Sequence, residues 1–196
     1  MKKMLFCGLA PAALLALTIS QANAAGEHIA PIQEVAKTKV ATWLKSSVVI
    51  DAIKAQNAKN ASLAEPEIIK MDKIWRAEVK VSGGSLTKSV LANSLSKYLK
   101  KVKADSQGLY TEIFVMDNKG INVGQSDMTS DYWQGDEAKW QKTYKVGPQA
   151  IHIGKVKTDE STQTLQSQLS VPITDPASGK VIGAVTIGVN VEQLGG

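Results

Sequence analysis

The spacing of the apolar residues changes near residue 109, and this change constrains the fold more than any other feature of the chain. Between residues 27 and 103, apolar side chains recur at intervals of three and four, the period of an amphipathic helix. From residue 110 onward they alternate with polar residues or form short apolar runs, which is typical of strands. A helical half followed by a series of strands predicts an α+β fold with an antiparallel sheet.

Three helices are predicted in the first half, over residues 27–60, 67–77 and 86–103. Pro31 lies in the first turn of the first helix, where its missing N–H is tolerated. Trp75 falls among apolar residues at helical spacing, so we expect it to anchor the core. The first helix has more apolar surface than a small domain usually covers, which makes it a candidate for a homodimer interface.

Five strands are predicted in the second half, over residues 110–116, 121–126, 150–157, 164–174 and 180–191. Gly120 ends a polar turn after the first strand and suits a positive φ. A polar and aromatic loop, residues 127–134, and a short helix, residues 136–144, separate the second and third strands. Asp136 is able to cap that helix. The small residues Ala184 and Gly188 leave space beside one face of the last strand.

The first 24 residues are typical of a signal peptide. Lys2 and Lys3 precede an apolar stretch, residues 5–19, and residues 22–24 read Ala-Asn-Ala, a small-residue cleavage site. We therefore expect cleavage after Ala24 and export to a bacterial periplasm. Residues 25–196 are predicted to form one domain, with a helical part over 25–108 and a sheet part over 109–194.

Cysteine content and charge exclude several classes of protein. Cys7 is the sole cysteine and lies in the predicted leader, so disulfides and thiolate catalysis are not expected. Without Lys2 and Lys3, the 23 basic residues fall to 21, against 18 acidic residues. The lysines are scattered among acids, and their concentration over residues 97–103 fits the solvated face of a helix. Nucleic acid is therefore not an expected partner.

Enzymatic and metal chemistry find few candidates. Outside the leader the chain has two histidines: His28 beside the new N-terminus, and His152 between two isoleucines of a predicted strand. Nucleophile-elbow, phosphate-loop and zinc-protease motifs are absent from the sequence. Asp127, Asp131 and Asp136 lack the spacing of a calcium loop. We expect no enzyme activity, metal or cofactor; a glycosidase-like carboxylate pair stays an open alternative.

Half of the tryptophans and tyrosines of the chain lie within 13 positions. They are Tyr132, Trp133, Trp140 and Tyr144. Trp140 and Tyr144 are four residues apart and share one helix face. Asp136 and Lys139 bring opposite charges to the same segment. Aromatic walls with a few placed polar groups are typical of a small-ligand pocket. The alternative is that these rings only cover an exposed face of the sheet.

Taken together, these segments resemble a Cache domain, a PAS-like sensor domain found outside bacterial membranes. The matching segments are residues 114–120, 130–133, 154–159, 170–173 and 179–184. The resemblance covers residues 86–194, and the first helix matches in architecture alone. It implies that a long N-terminal helix and a helical region pack on a five-stranded antiparallel sheet. The loop and short helix after the second strand would then close a pocket over one face.

The resemblance also implies where a ligand would bind. By position, the family's ligand contacts fall on Phe114, Tyr132, Trp133, Lys139, Trp140, Tyr144 and Asp159. Amino-acid-binding members have an arginine two positions before the tryptophan, whereas here Lys139 adjoins Trp140. The chain thus departs from that version. Lys139 suits a small carboxylate, as in the organic-acid sensors of the family, and a solvated surface lysine is the alternative.

The function that the resemblance implies is a periplasmic sensor module. It would bind a small molecule and signal through a separate membrane-bound receptor or kinase. The alternative is a ligand-free protein that interacts with an envelope partner or inhibits it. The two differ in a measurable way, because only a bound ligand raises stability by mass action.

Overall fold

The computed structural model describes residues 26–158 and 163–195. Within these residues, helices run from Ile29 to Asp105 and an antiparallel sheet begins at Tyr110. The predicted α+β class is confirmed. The predicted leader and Asp159 lie outside the described residues. None of the helices within these residues is both long enough and apolar enough to cross a membrane.

The first predicted helix is divided into several pieces. They are α1 (Ile29–Val35), a π-helical turn (Ala36–Val40), α2 (Ala41–Trp43) and α3 (Ser47–Lys59). One continuous helix over residues 27–60 is therefore wrong, since Ser46 leaves the helical conformation with φ −59° and ψ 136°. Val40 and Val49 are both fully buried in the main core. Residues nine apart lie on opposite sides of a regular helix, so a break lets both side chains face the core.

The second predicted helix is α4 (Glu65–Lys80), and Trp75 is fully buried in it, as expected. The third is interrupted and forms α5 (Ser85–Ala92) and α6 (Ser94–Asp105). Asn93 explains the interruption. Its side-chain oxygen accepts the N–H of Ser96 at 2.8 Å, and its amide donates to the Val123 carbonyl at 2.8 Å. This side chain caps α6 and ties it to the sheet.

The sheet has six strands among the described residues, one more than predicted. They are β1 (Tyr110–Met116), β2 (Asn122–Gln125), β3 (His152–Ile153), β4 (Lys157–Thr158), β5 (Leu165–Thr174) and β6 (Val181–Asn190). Their order is β2-β1-β6-β5-β3, and β4 also pairs with β5. The predicted third strand is split, because its register against β5 shifts by one residue: His152 opposes Ser170, whereas Lys157 opposes Gln166.

The two faces of the sheet carry different residues. Successive side chains of a strand point to opposite sides, so Ile113 and Val115 pack with α1, α3 and α6 in the main core. Phe114 and Met116 point the other way and pack with Trp140. Trp140 belongs to α7 (Ala138–Gln141), which is shorter than the predicted helix over residues 136–144. The expected cap by Asp136 is also wrong, because Glu137 takes the N-cap position without a side-chain cap bond.

Candidate functional site

The segment after β2 folds back over the face of the sheet that the helices leave uncovered. We call residues 127–147 the lid. Three hydrogen bonds hold it to the β1–β2 turn: Trp133 Nε1 to Lys119 O at 2.8 Å, Trp140 Nε1 to Asp117 O at 3.1 Å, and Gln134 N to Gly120 O at 2.7 Å. Both indole N–H groups are thus used to seat the lid rather than left for a ligand.

Gly120 permits the lid to lie close to the β1–β2 turn. Its φ is +81°, a value that side-chain-bearing residues rarely adopt. A Cβ atom there would lie 2.5 Å from the backbone of Gly135 in the lid. The predicted positive φ at Gly120 is confirmed, and the structure adds the second reason for glycine, which is contact with the lid.

The aromatic residues of the lid divide into two groups. Tyr132 stacks on Trp75 of α4, with ring centroids 5.2 Å apart, and Trp133 packs against the same cluster. Trp140 stacks on Tyr144 at 4.9 Å and packs with Phe114 on the sheet. The rings therefore act as two separate anchors, one on α4 and one on the sheet.

Lys139 lies between the contact of Trp140 with Phe114 and a polar space. Its Nζ is 5.3 Å from the centroid of the Phe114 ring, a cation–π geometry. The same atom is 2.9 Å from Glu137 Oε2 and 3.1 Å from Gln134 Oε1. The Lys139 side chain is only 15% exposed. This burial distinguishes it from a solvated surface lysine.

The polar space is a cleft of about 710 Å³ between the lid and the sheet. Its ionisable and amide-bearing lining residues are Glu137, Lys139, Lys142, His152, Lys155, Lys157, Gln166 and Gln168. Four lysines thus surround one space, and Glu137 is the acidic residue among the described lining residues. Burial, together with the charge of Lys142, lowers the pKa of His152 below its ordinary value. His152 is therefore neutral at pH 7.

The structure does not bring the predicted ligand-contact residues together in one cavity. Lys139 lines the cleft, whereas Tyr132 faces α4 and Phe114 is buried beneath Lys139. Trp133 and Trp140 line a second cavity of about 450 Å³, between the lid, the β1–β2 turn and the start of α4. Tyr144 stacks behind Trp140, and burial raises its pKa, with the charge of Asp117 as a smaller cause.

Sequence reasoning missed most of the basic lining. The residues concerned are Lys142, His152, Lys155 and Lys157. A signal was present, because Gln166, Gln168 and Ser170 alternate with apolar residues and mark one polar face of β5. His152 pairs directly with Ser170, and Lys157 with Gln166, so the pairing register brings these side chains to that polar face. Pairing partners could not be read from spacing alone.

The described residues give no support to a metal site. Among residues 26–158 and 163–195, no group of three or more histidine, cysteine, aspartate or glutamate side chains is arranged to hold a metal ion. Asp131 and Glu137 of the lid are instead paired with Arg76 and Lys139. The cleft is better suited to an anion than to a cation.

Comparison with known proteins gives similarity to solved structures only; no family model and no curated protein matches the chain. The sensor domain of the histidine kinase DctB of V. cholerae is 13% identical, with a TM-score of 0.43, over 86% of this chain and 58% of that domain. The ligand-binding domain of the Campylobacter jejuni chemoreceptor Tlp3, in complex with 4-methylisoleucine, is 17% identical, with a TM-score of 0.39, over 78% and 64%. The E. coli DcuS sensor domain is 13% identical, with a TM-score of 0.45, over 84% and 95%.

These three proteins are Cache-type extracytoplasmic sensor domains. The chain spans less than two thirds of the DctB and Tlp3 domains. Likeness at this level concerns the fold alone and assigns neither ligand nor partner.

Proposed function

We propose that the protein is a periplasmic sensor module that binds a small organic anion in the cleft between the lid and the sheet. The observation that carries this proposal is the basic lining of that cleft. Lys139 and Lys142 approach from the lid, and Lys155 and Lys157 from the segment around β4. Lys142, Lys155 and Lys157 are exposed, whereas the side chain of Lys139 is only 15% exposed. Charges of one sign that line a cleft raise the local concentration of counter-ions, which favours binding of an anion.

The size and the remaining groups of the cleft favour a compact carboxylate. A volume of about 710 Å³ lies within the range of small-molecule sites. The Gln168 amide donates to Glu112 Oε1 at 2.9 Å, so the floor of the cleft is polar and already ordered. Ammonium groups bind carboxylates as point charges and do not impose the planar geometry that arginine would. The site therefore suits organic acids that differ in shape but carry concentrated charge.

Signalling in this proposal needs a partner. The module would change its contacts with a membrane-bound receptor or kinase, or with a second copy along α1 and α3. Ile29 and Val48 on these helices are 40% and 37% exposed, which leaves apolar surface for such a contact. A ligand shifts these contacts only if it binds one arrangement of the lid more tightly than another. The proposed role is binding, without catalysis.

Thermal unfolding with acetate, succinate and citrate at matched ionic strength tests the proposal on residues 25–196. At a ligand concentration one hundred times Kd, stability rises by about 2.7 kcal/mol. We expect stabilisation by at least one carboxylate, and its loss in Lys142→Ala and Lys157→Ala. Lys97→Ala, an exposed lysine of α6, is the matched control and should keep the effect. Absence of stabilisation by all three acids would favour the ligand-free interaction protein.

A further inference from the structure

The second cavity, of about 450 Å³ between the lid, the β1–β2 turn and the start of α4, is separate from the cleft. Among the described residues, the two spaces have no lining residue in common. The apolar walls of this cavity come from Leu63 and Ile68 near the start of α4, and from Trp133 and Trp140 of the lid. Its volume lies within the range of small-molecule sites. The cavity is therefore a candidate for a second ligand.

The two tryptophans offer this cavity their ring faces rather than hydrogen bonds. The N–H groups of Trp133 and Trp140 already donate to the carbonyls of the β1–β2 turn. The Nζ atom of Lys145, which also lines the cavity, lies 5.1 Å from the centroid of the Trp140 ring. Tryptophan is the best of the aromatic residues for contact with an ammonium group. The Trp140 ring thus already accepts a cation from within the chain.

Two carboxylates, Glu65 and Asp136, line the same cavity. Neither forms an ion pair within the described part of the chain. Glu65 is not needed to cap α4, because Glu67 Oε2 accepts the Ala64 N–H at 3.0 Å. Asp136 acts on the pKa of Arg76 only as a minor cause. Both carboxylates are therefore available to a cation that enters the cavity.

The amide and amine groups of the lining leave mainly acceptors for a ligand. Asn118 Oδ1 is buried and has no hydrogen-bond partner among the described residues. Lys119 Nζ donates to two backbone carbonyls at 3.2 and 2.7 Å, and Gln141 Nε2 donates to Gly135 O at 3.1 Å. These donors are thus occupied, whereas Lys145 is exposed and makes no ion pair within the described part of the chain. Aromatic walls with carboxylate and carbonyl oxygens suit an ammonium ion.

We propose that this cavity is a binding site for a small organic ammonium ion. The ion would lie against the tryptophan rings, with its charge near Glu65 and Asp136, and would replace the Lys145 ammonium at Trp140. Lys145 is then a competitor that the chain itself supplies. The bound ion would contact α4 and the lid together, and so add to the contacts that seat the lid. This site does not depend on the binding of an anion in the cleft.

NMR of the tryptophan side chains tests the proposal, with choline chloride as the probe and sodium chloride at the same ionic strength as the reference. Choline should move the ¹⁵N–¹H indole signals of Trp133 and Trp140. The signal of Trp43, which packs against the main core on the helix side, should stay in place. The neutral carbon isostere of choline, in which a tert-butyl group replaces the trimethylammonium group, should bind more weakly by about twofold or more, because it lacks the charge.

Variants identify the groups that hold the ion. Glu65→Gln combined with Asp136→Asn should weaken choline binding by about threefold or more, whereas Asp51→Asn, an exposed acid of α3, should leave it unchanged. Lys145→Gln should strengthen it by about two- to fivefold, since the competitor is removed. Lys142→Gln is the matched control, because it removes the same charge from the lid at a residue that lines the other space.

Three outcomes would overturn the proposal. They are indole signals of Trp133 and Trp140 that choline leaves unmoved, equal binding of choline and its neutral isostere, and equal gains in Lys145→Gln and Lys142→Gln. The first two need no variant, so they hold even if a substitution disturbs the lid. No carboxylate ligand is present in these titrations. A failure here is therefore distinguishable from a failure of carboxylates to stabilise the protein.

Discussion

The two faces of the sheet are built by the same strands but differ in polarity: the face toward the helices is apolar, and the face toward the lid is largely polar. On the helix side, Leu169 and Ile187 pair across β5 and β6, and both are fully buried in the main core. On the lid side, the neighbouring pair is Ser170 and Thr186, whose hydroxyl oxygens are 3.0 Å apart. The residue before Leu169 is Gln168, which lines the cleft. A single strand thus contributes to a dry core and to a polar space.

This difference separates stability from binding. Apolar surface removed from water on the helix side is the main favourable term in folding. On the lid side, Ser170 is paired with Thr186 and Gln168 with Glu112, so the burial of these side chains costs little, and Gln168 lines a space beside the sheet. Substitutions on the lid side can therefore change what the cleft accepts while the core maintains the fold.

The strongest test of this separation is a pair of adjacent substitutions in β5. Leu169→Ala removes a fully buried side chain from the core and should lower the free energy of unfolding by about 2–5 kcal/mol. Gln168→Ala removes a hydrogen bond to Glu112 and should cost only about 1 kcal/mol. Urea denaturation of both variants measures the difference. Equal losses would show that the lid side contributes as much to stability as the helix side.

A smaller effect is expected from Tyr132, whose ring is buried between the lid and α4. Burial against Trp75, with the charge of Asp117 as a lesser cause, raises the pKa of Tyr132 to about 12. The unfolded chain loses this proton near pH 10, so stability should fall between about pH 10 and 12, by about 1.4 kcal/mol per pH unit. Unfolding measured from pH 9 to 11 should show a shallower slope in Tyr132→Phe than in the wild type. If the Tyr132 phenol ionised near pH 10 in the folded protein, it would instead be exposed to solvent.

The smallest effect comes from the cleft itself. Burial and the charge of Lys142 lower the pKa of His152, so the folded protein resists its protonation. The unfolded chain binds this proton near pH 6.5, and stability should fall as the pH drops below that value, until the folded protein also binds it. Solvent screening keeps the loss under about 1 kcal/mol. The free energy of unfolding, measured at pH 5 and pH 7.5, should be lower at pH 5 in the wild type. This difference should be absent in His152→Gln. An equal difference in both proteins would contradict the prediction.

Local pattern predicted the order of the elements well. Helices precede residue 109 and strands follow it, and β1, β5 and β6 lie within a residue or two of their predicted bounds. These strands are long, and apolar alternation with glycine-containing turns marks their ends. The interruptions at Ser46 and Asn93 were missed. Each depends on a contact distant in sequence: burial of Val40 and Val49 in one core, and the bond from Asn93 to Val123.

The candidate site was predictable only in part. The aromatic cluster indicated that the segment after β2 covers the sheet, and the structure shows it doing so through Trp140. The same cluster did not indicate that Tyr132 pairs with Trp75, because that contact joins the lid to α4. Lys139 was singled out by its place beside Trp140, whereas Lys155 and Lys157 reach the cleft only because β3 and β4 pair with β5.

The sequence by itself determined the fold class, the change from helix to strand and the segment that forms the lid, because period and turn chemistry are properties of neighbouring residues. Only the tertiary structure decided which rings became anchors and which lysines came to share one space. That outcome depends on pairing register and on helix packing, which bring together side chains from the lid, α4 and three strands. Contacts over such separations have no periodic signature in the chain.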